Sequence, residues 1–500
     1  MAAAARYQPR YTQATAVLVT AVTLLFWLGM HTLLPLSPEP DQLYGWGADQ
    51  WTWSLGGIWL VLLLAVLLLG GQSTVEVRQR AADELQNRFP KHGLILLLGG
   101  VTAVTLWAGT PALLVTAWLA LALVWAGIGF AGWPRPALRA VGAPLVGLLL
   151  AVLILWYGAA LGGGADWATW PAAARTAALL AVLLQLSGVP LLGRRLIAEI
   201  GDRETAVLPL LAPGLAGAAL LARLVATGPM PSLLAATLLA LLLVLGGLRR
   251  AWASLTNPAL FGMALALVVS GFLVLGGMWA GPAALVAEGR VLALAVGALF
   301  LAGPVRRDLL TGRDGWLRYG LGLLSWMLAL AALAGLPLTA GFNGRAPLYQ
   351  SWLAMNGWAL VLVTVLLHVP LITAVFLFGL ARRDDTVNAR PGLAASGGRL
   401  LLALGLLALP ALPLGAVNWA TWLALLLPVA AGLLLARWSP EMPDWETAVR
   451  LPANWSAKRL RQAGQLTMNA VRDAAELLEG ERGLLWLLLL AVLIVLASSG

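Results

Sequence analysis

The sequence predicts an all-α polytopic membrane protein with about 15 transmembrane helices. The first observation behind this prediction is composition. Of the 500 residues, 60% are hydrophobic and 11% are charged, whereas roughly a quarter of the residues of a soluble domain are charged. So few charges cannot cover a surface that faces water. The second observation is the repetition of apolar stretches that reach the length of about 20 residues needed to cross the hydrocarbon core as a helix.

The candidate helices follow one another along the chain and are separated by short polar loops. They lie near residues 14–36, 51–70, 92–109, 110–132, 141–162, 172–192, 206–226, 229–248, 255–279, 283–303, 319–355, 357–381, 400–416, 418–436 and 484–498. The first stretch is too long for the apolar core of a signal peptide and has no small-residue cleavage site after it. We therefore expect it to remain in the mature protein.

The basic residues test this set of spans independently, because short loops rich in Lys and Arg stay on the cytoplasmic side. With the N-terminus in the cytoplasm, all but four of the 32 Lys and Arg residues fall in loops on that side. The net charge of +10 is thus a topology signal and does not indicate nucleic-acid binding. Of the exceptions, Arg175 and Arg223 lie near the outer ends of their helices, where a long side chain can reach the interface. Arg290 and Arg345 lie deeper in the membrane.

Missing residue types exclude several functions. The chain has no Cys and only three scattered His, so it offers no disulfide framework, no iron–sulfur ligation and no metal cluster. Paired carboxylates, a Ser-His-Asp set and a phosphate-binding glycine loop are also missing from the sequence. We therefore expect no catalytic residue, no cofactor and no metal in this chain.

A broken helix is predicted where the sequence reads GLPLTAGFNGRAPLYQSW, from Gly335 to Trp352. Pro337 interrupts the helix, and Gly341 and Gly344 free the backbone around it. Irregular backbone at membrane depth must be buried in protein or line a wet cavity. Arg345 follows at once, and it either caps carbonyl groups of the broken helix or organises a polar path.

Few other polar side chains lie at depth, where an ionisable group costs about 3 kcal/mol at the centre of a helix. Glu288 and Arg290 lie early in their span and form either an interfacial ion pair or part of an ion pathway. His368 comes two residues before Pro370, so its ring either bonds a carbonyl that the proline leaves free or relays protons. Gln185 can hydrogen-bond across helices but cannot titrate.

The longest hydrophilic stretch, residues 438–483, contains an amphipathic helix that begins after Pro452 and ends at Gly480. We expect this helix to lie in the cytoplasmic interface of the membrane. The alternative is that it packs on the loops of the same chain.

The Gly335–Trp352 segment resembles the broken-helix signature of a known family. These are the antiporter-like membrane subunits shared by respiratory complex I, membrane-bound hydrogenases and multisubunit sodium/proton antiporters. The family segment reads roughly G-hydrophobic-P-x-T-A-G-F-x-x-K, with Lys or Glu at the position of Arg345. Three weaker matches follow the family order within about residues 100 to 360. Gly109–Phe130 resembles the Trp-Glu helix, with Leu119 in place of Glu. The helix with Gln185 resembles the Lys-bearing helix before the first broken element, and Leu245–Met263 resembles the Asp-x-Lys-Arg loop. The intervening helix Leu210–Arg223 lies where the family has another buried Lys or His and offers only Leu215 and its neighbours.

The resemblance implies two inverted five-helix repeats, each with one broken helix, in a multi-pass protein of the inner (cytoplasmic) membrane. The C-terminus would lie on the side opposite the N-terminus. The implied segments are N-terminal helices at 1–100, a first repeat at 101–250, a second repeat at 251–400, additional helices at 401–437, the amphipathic helix at 438–483 and a last transmembrane helix at 484–500.

Proton transfer in that family is ascribed to a line of buried Glu, Lys and His residues. The matching line here reads Leu119, Gln185, Leu215 and Arg345, and none of these side chains exchanges a proton near neutral pH. The sequence thus predicts a divergent, non-catalytic antiporter-like subunit in the membrane arm of a complex I-like (NADH-quinone oxidoreductase related) or similar redox-driven ion translocase. Its role would be structural or partly ion-conducting, and its partners would be other hydrophobic membrane subunits and lipid.

Two alternatives remain open at this point. In one, the chain still translocates protons or sodium through water wires and titratable groups of neighbouring subunits. In the other, it is an unrelated permease or lipid-linked transferase. That chemistry uses acidic residues at the membrane edge to hold a metal, and Glu39, Asp41 and Asp49 would be available for it.

Overall fold

A computed structural model of the chain describes residues 9–33, 49–69, 91–131, 137–164, 166–193, 203–231, 233–302, 315–380 and 393–438. The chain divides into two compact units, Met1–Gly432 and Leu433–Gly500. Of the second unit only residues 433–438 are described. The predicted amphipathic helix and the predicted last span therefore lie outside the described residues.

Helices make up nearly all of the described part. In chain order they are α1 Pro9–Leu33, α2 Gln50–Leu69, α3 Lys91–Trp107, α4 Pro111–Ala131, α5 Ala137–Gly162, α6 Ala172–Leu192, α7 Arg203–Ala226, α8 Leu233–Ala253, α9 Pro258–Ala280, α10 Pro282–Arg290, α11 Val296–Ala302, α12 Gly315–Ala334, α13 Ala340–Ala354, α14 Trp358–Leu380, α15 Leu393–Leu406 and α16 Trp419–Trp438. A π-helical turn, Val291–Ala295, joins α10 to α11.

The predicted fold class is confirmed. Among the described residues, ten helices are long and apolar enough to cross a membrane, and four further apolar helices are shorter. The α7 helix lies at the centre, and its residues 206–224 are all buried. It contacts α2, α3, α6, α9 and α10, so the core is built around a helix that is apolar on every side.

The predicted helix break is present, because α12 ends at Ala334 and α13 begins only at Ala340. Pro337 lies inside this break. Backbone conformations with positive φ occur at Gly335 (φ 71°) and at Leu338 (φ 65°). The chain thus turns sharply over five residues between two helices that would otherwise form one continuous span.

The expectation that Gly341 and Gly344 free the backbone is wrong, because both lie within α13. They allow close packing instead. A Cβ atom at Gly341 would collide with the carbonyl oxygen of Ala332 on α12, and one at Gly344 would lie 2.6 Å from Oε1 of Glu288. The two glycines therefore set how closely α13 approaches its neighbours.

A segment after α15 covers the break. The backbone N–H of Ala408 donates to the carbonyl oxygen of Leu338 at 3.0 Å. The side chain of Asn343 donates to the carbonyl oxygen of Leu409 at 2.9 Å and accepts from the N–H of Ala411 at 2.7 Å. Polar backbone groups near the break are thus paired within the protein, although the side chains of Leu338 and Leu409 are exposed.

The helix break predicted for the first repeat is not present in α6. This helix runs without interruption from Ala172 to Leu192, with Pro190 in its last turn. Residues 194–202, which follow it, lie outside the described part of the chain.

Arg175 and Arg223 do lie at helix ends, but their predicted position at the lipid interface is wrong. Both are buried, with exposed fractions of 5% and 4%. Arg175 donates to the carbonyl oxygen of Leu224 at the end of α7. Arg223 donates to the carbonyl oxygen of Leu106 at 2.8 Å and forms an ion pair of 3.4 Å with Asp49. The physical reason is that carbonyl groups at these helix ends are buried and need donors.

Candidate functional site

Five buried side chains from four helices meet within the second predicted repeat. They are Phe272 on α9, Glu288 on α10, Arg345 and Tyr349 on α13, and His368 on α14, and each is at most 1% exposed. We call this group the Arg345 cluster. It brings together three of the polar residues that the sequence places at membrane depth.

An ion pair forms the centre of the cluster. Nε of Arg345 lies 3.2 Å from Oε1 of Glu288. Neither atom has a hydrogen-bond partner in the described part of the chain, so the contact is an ion pair without an aligned hydrogen bond. The guanidinium also donates to the carbonyl oxygen of Leu333 in the last turn of α12. Arg345 therefore caps a carbonyl of the broken helix, as one of the two interpretations expects, and it also neutralises a buried acid.

The predicted pairing of Glu288 with Arg290 is wrong. Each residue turns the helix by about 100°, so positions 288 and 290 face opposite sides of α10. Glu288 points to Gly344 and Arg345 on α13. Arg290 is only part-buried and makes no ion pair with any residue that the structure describes.

His368 is held by a side chain and not by a carbonyl next to Pro370, so that expectation is also wrong. Its Nδ1 lies 2.7 Å from the hydroxyl oxygen of Tyr349. Its ring stacks on Phe272 with a centroid distance of 4.5 Å and an angle of 13°. Nε2 of His368 has no hydrogen-bond partner among the described residues.

Phe272 contacts two members of the cluster, His368 and Arg345. Besides stacking on His368, its ring lies below the guanidinium, with Cζ of Arg345 4.7 Å from the ring centroid. A cation over an aromatic face is attracted by the ring quadrupole. Phe272 therefore supports the guanidinium of Arg345 in its buried position.

The candidates of the first repeat do not join this cluster. Gln185 on α6 is buried, and its side-chain oxygen has no hydrogen-bond partner in the described part. Leu215 on α7 is fully buried. The two helices pack closely here, since a Cβ at Gly217 would lie 3.3 Å from Cβ of Gln185. The described surroundings of Gln185 thus consist of tightly packed helices.

Leu119 lies on the outside of the helix bundle, with 41% of its surface exposed. The neighbouring Trp118 is fully buried. The face of α4 that carries Trp118 therefore points into the helix bundle, and the face that carries Leu119 does not. The match of Leu119 to the family glutamate stays a prediction, but its side chain does not line the interior.

Sequence reasoning missed Tyr349 and Phe272. A signal existed for Tyr349, because it follows Arg345 by four residues and therefore shares its helix face. The sequence held no signal for Phe272, because it is one of many apolar residues in an apolar helix. A π-helical turn directly after Arg290 was also missed, and such turns are frequent at functional sites.

The cluster combines a carboxylate, an imidazole and a phenol beside one permanent cation. These are groups that can hold or pass a proton when they come within hydrogen-bonding distance. Asp49, an acid that a metal-dependent transferase would use, is instead paired with Arg223 and accepts hydrogen bonds at the start of α2. The arrangement therefore resembles an intramembrane ion site more than a metal centre at the membrane edge.

Fold and cluster together define a polytopic membrane protein with the architecture expected of antiporter-like subunits. Comparison with solved structures supports this class at the level of fold. The chain is similar to a chain of the Mrp complex from Dietzia sp. DQ12-45-1b, with a TM-score of 0.69 and 16% identity over 99% of this chain and 60% of that one. The chain thus spans about three fifths of that relative.

Two other solved structures share the fold over most of both chains. One belongs to the membrane-bound sulfane sulfur reductase, an archaeal respiratory membrane complex (TM-score 0.61, 14% identity, 97% of this chain and 96% of that one). The other belongs to respiratory complex I from Thermus thermophilus (TM-score 0.60, 18% identity, 84% and 95%). No protein-family model and no curated protein sequence matches the chain. The resemblance seen in the sequence is therefore confirmed as a shared fold.

Proposed function

We propose that this chain is a divergent antiporter-like subunit in the membrane arm of a multisubunit membrane complex. The support is a fold shared with chains of three such complexes over 84% to 99% of this chain. A fold hosts more than one function, so the proposal also rests on the buried Arg345 cluster. We further propose that the chain lies in the cytoplasmic membrane with its N-terminus in the cytoplasm, as the distribution of Lys and Arg indicates.

Its role, we propose, is structural or at most partly ion-conducting. The observation that carries this is the uneven distribution of buried groups that can exchange a proton. Glu288 and His368 lie in the second repeat, whereas the buried positions Gln185 and Leu215 of the first repeat hold no such group. A proton path across both repeats would need such groups in each.

Active proton or sodium translocation is the second candidate. What favours it is a set of buried polar atoms without hydrogen-bond partners in the described part: both carboxylate oxygens of Glu288, Nε2 of His368 and the side-chain oxygen of Gln185. Buried polar groups are normally paired. Water and titratable groups of neighbouring subunits would have to complete the path.

Two measurements test the proposal. After extraction in mild detergent, the chain should co-purify with several hydrophobic subunits. A chain purified alone or as a homo-oligomer would oppose the subunit role and favour a permease.

The second measurement uses the intact complex reconstituted into liposomes. With a structural role, His368→Ala should leave the number of ions moved per turnover unchanged while assembly is retained. A loss of pumping in the assembled variant would favour active translocation by this chain.

A further inference from the structure

We propose that the guanidinium of Arg345 is a built-in counter-cation of Glu288, and that it excludes Na⁺ from a position that would otherwise bind a mobile cation. The inference deepens the proposed function and rests on it, since it gives a reason why a structural or partly ion-conducting subunit keeps a buried acid in its second repeat.

The first step is the identity of the groups that Arg345 contacts. Glu288 is the buried carboxylate among the described side chains. Leu333 offers a carbonyl oxygen at the C-terminal end of the half-helix α12. Hard cations take carboxylate and carbonyl oxygens as ligands, and in membrane transporters the carbonyl groups of interrupted helices coordinate Na⁺. Arg345 lies against both, so it occupies the space that such an ion would fill.

The second step is that Arg345 cannot leave this position. Its side chain is fully buried, and its Cδ packs against Gly335, where an added Cβ would lie 3.1 Å away. Phe272 supports the guanidinium through the cation–π contact. The Arg345 side chain therefore lies between the break that separates α12 from α13 and the helix α9.

The third step is that Arg345 cannot lose its charge. A guanidinium stays protonated in proteins, whereas a buried lysine can release its proton. The carboxylate of Glu288 is therefore compensated permanently.

The experiment compares the intact protein, with its co-purifying subunits, in NaCl and in choline chloride at equal ionic strength. The melting temperature Tm of the wild type should be the same in both salts. In Arg345→Gln, Na⁺ should raise Tm by about 2–4 °C over choline, as a ligand well above its dissociation constant does. In Arg345→Ala, millimolar guanidinium should raise Tm in the same way, because it fits the vacated space.

Two control variants locate the effect. Arg175→Gln removes another buried arginine that contacts carbonyl groups, and it should show no difference between Na⁺ and choline. The double variant Glu288→Gln/Arg345→Gln should lose the Na⁺ response. A response retained in the double variant, or no response in folded Arg345→Gln and Arg345→Ala, would overturn the inference.

The outcome stays decisive if the single variants do not accumulate. Accumulation restored in the double variant would support the inference, because an uncompensated buried carboxylate is then the cause. Equal loss in the double variant would contradict it. A wild type stabilised by Na⁺ would also overturn the inference without touching the subunit role, which co-purification tests separately.

Discussion

The hydroxyl of Tyr349 and Nδ1 of His368 are 2.7 Å apart and fully buried. This hydrogen bond joins the second half of the broken helix, α13, to the following helix α14. The two rings meet edge to face, with an angle of 82° between them. The bond therefore fixes the imidazole in position beside Phe272 and ties the break to the rest of the second repeat.

We expect Tyr349→Phe to destabilise the protein by about 1–3 kcal/mol, since it leaves a buried nitrogen of His368 without its partner. Thermal unfolding in detergent would measure the loss. Tyr157→Phe is the matched control, because Tyr157 is 53% exposed and its hydroxyl should contribute little. Equal effects of the two substitutions would contradict the role given to the hydrogen bond.

Gly341→Ala should cost about 3 kcal/mol, at the upper end of overpacking effects, because the new Cβ would strike the carbonyl oxygen of Ala332. The abundance of folded protein in the membrane and its Tm would show this. Gly127→Ala on α4 introduces the same methyl group into open space. It should instead stabilise the helix by roughly 0.5–1 kcal/mol. A tolerated Gly341→Ala would mean that α12 and α13 are not held at this close approach.

Asp49 has two functions that substitutions can separate. One carboxylate oxygen accepts from the N–H groups of Trp51 and Thr52 at 2.9 and 2.8 Å, and the other pairs with Arg223. Asp49→Asn keeps a good helix N-cap and loses only the charge, whereas Asp49→Ala loses both. We expect the alanine variant to be less stable than the asparagine variant by about 1 kcal/mol in thermal unfolding. Identical stabilities would show that the cap contributes nothing.

Gln185→Leu should leave stability unchanged or raise it, because it removes a buried oxygen that has no partner in the described part. Ion movement by the reconstituted complex should also persist. Gln185→Glu serves as the contrasting variant, because it places a buried charge at the same position and should destabilise. Loss of ion movement in a well-folded Gln185→Leu would indicate that the first repeat conducts.

The sequence predicted the helical membrane fold because apolar length and the alternation of basic loops are local properties, readable without knowledge of packing. It also located the break, because Pro337 disrupts a helix wherever that helix packs. The partners of the polar residues could not be predicted in the same way. Glu288 pairs with Arg345, 57 positions away along the chain, and not with its neighbour Arg290.

The roles of the glycines and of Leu119 depended on the same non-local information. Gly341 is needed because Ala332 approaches it, which no local pattern reveals. The helix that contains Leu119 is apolar on every side. Hydropathy therefore cannot distinguish a lipid-facing position on it from an interior one.

The sequence by itself determined that the chain crosses a membrane many times and where one helix breaks. Only the tertiary structure decided that Arg345, Glu288, Tyr349, His368 and Phe272 form one cluster while Gln185 and Leu215 remain apart from it. The reason is that insertion into a membrane depends on the length and polarity of each segment alone. Pairing of buried charges depends instead on which helix faces meet, and these are set by packing between residues far apart in the chain.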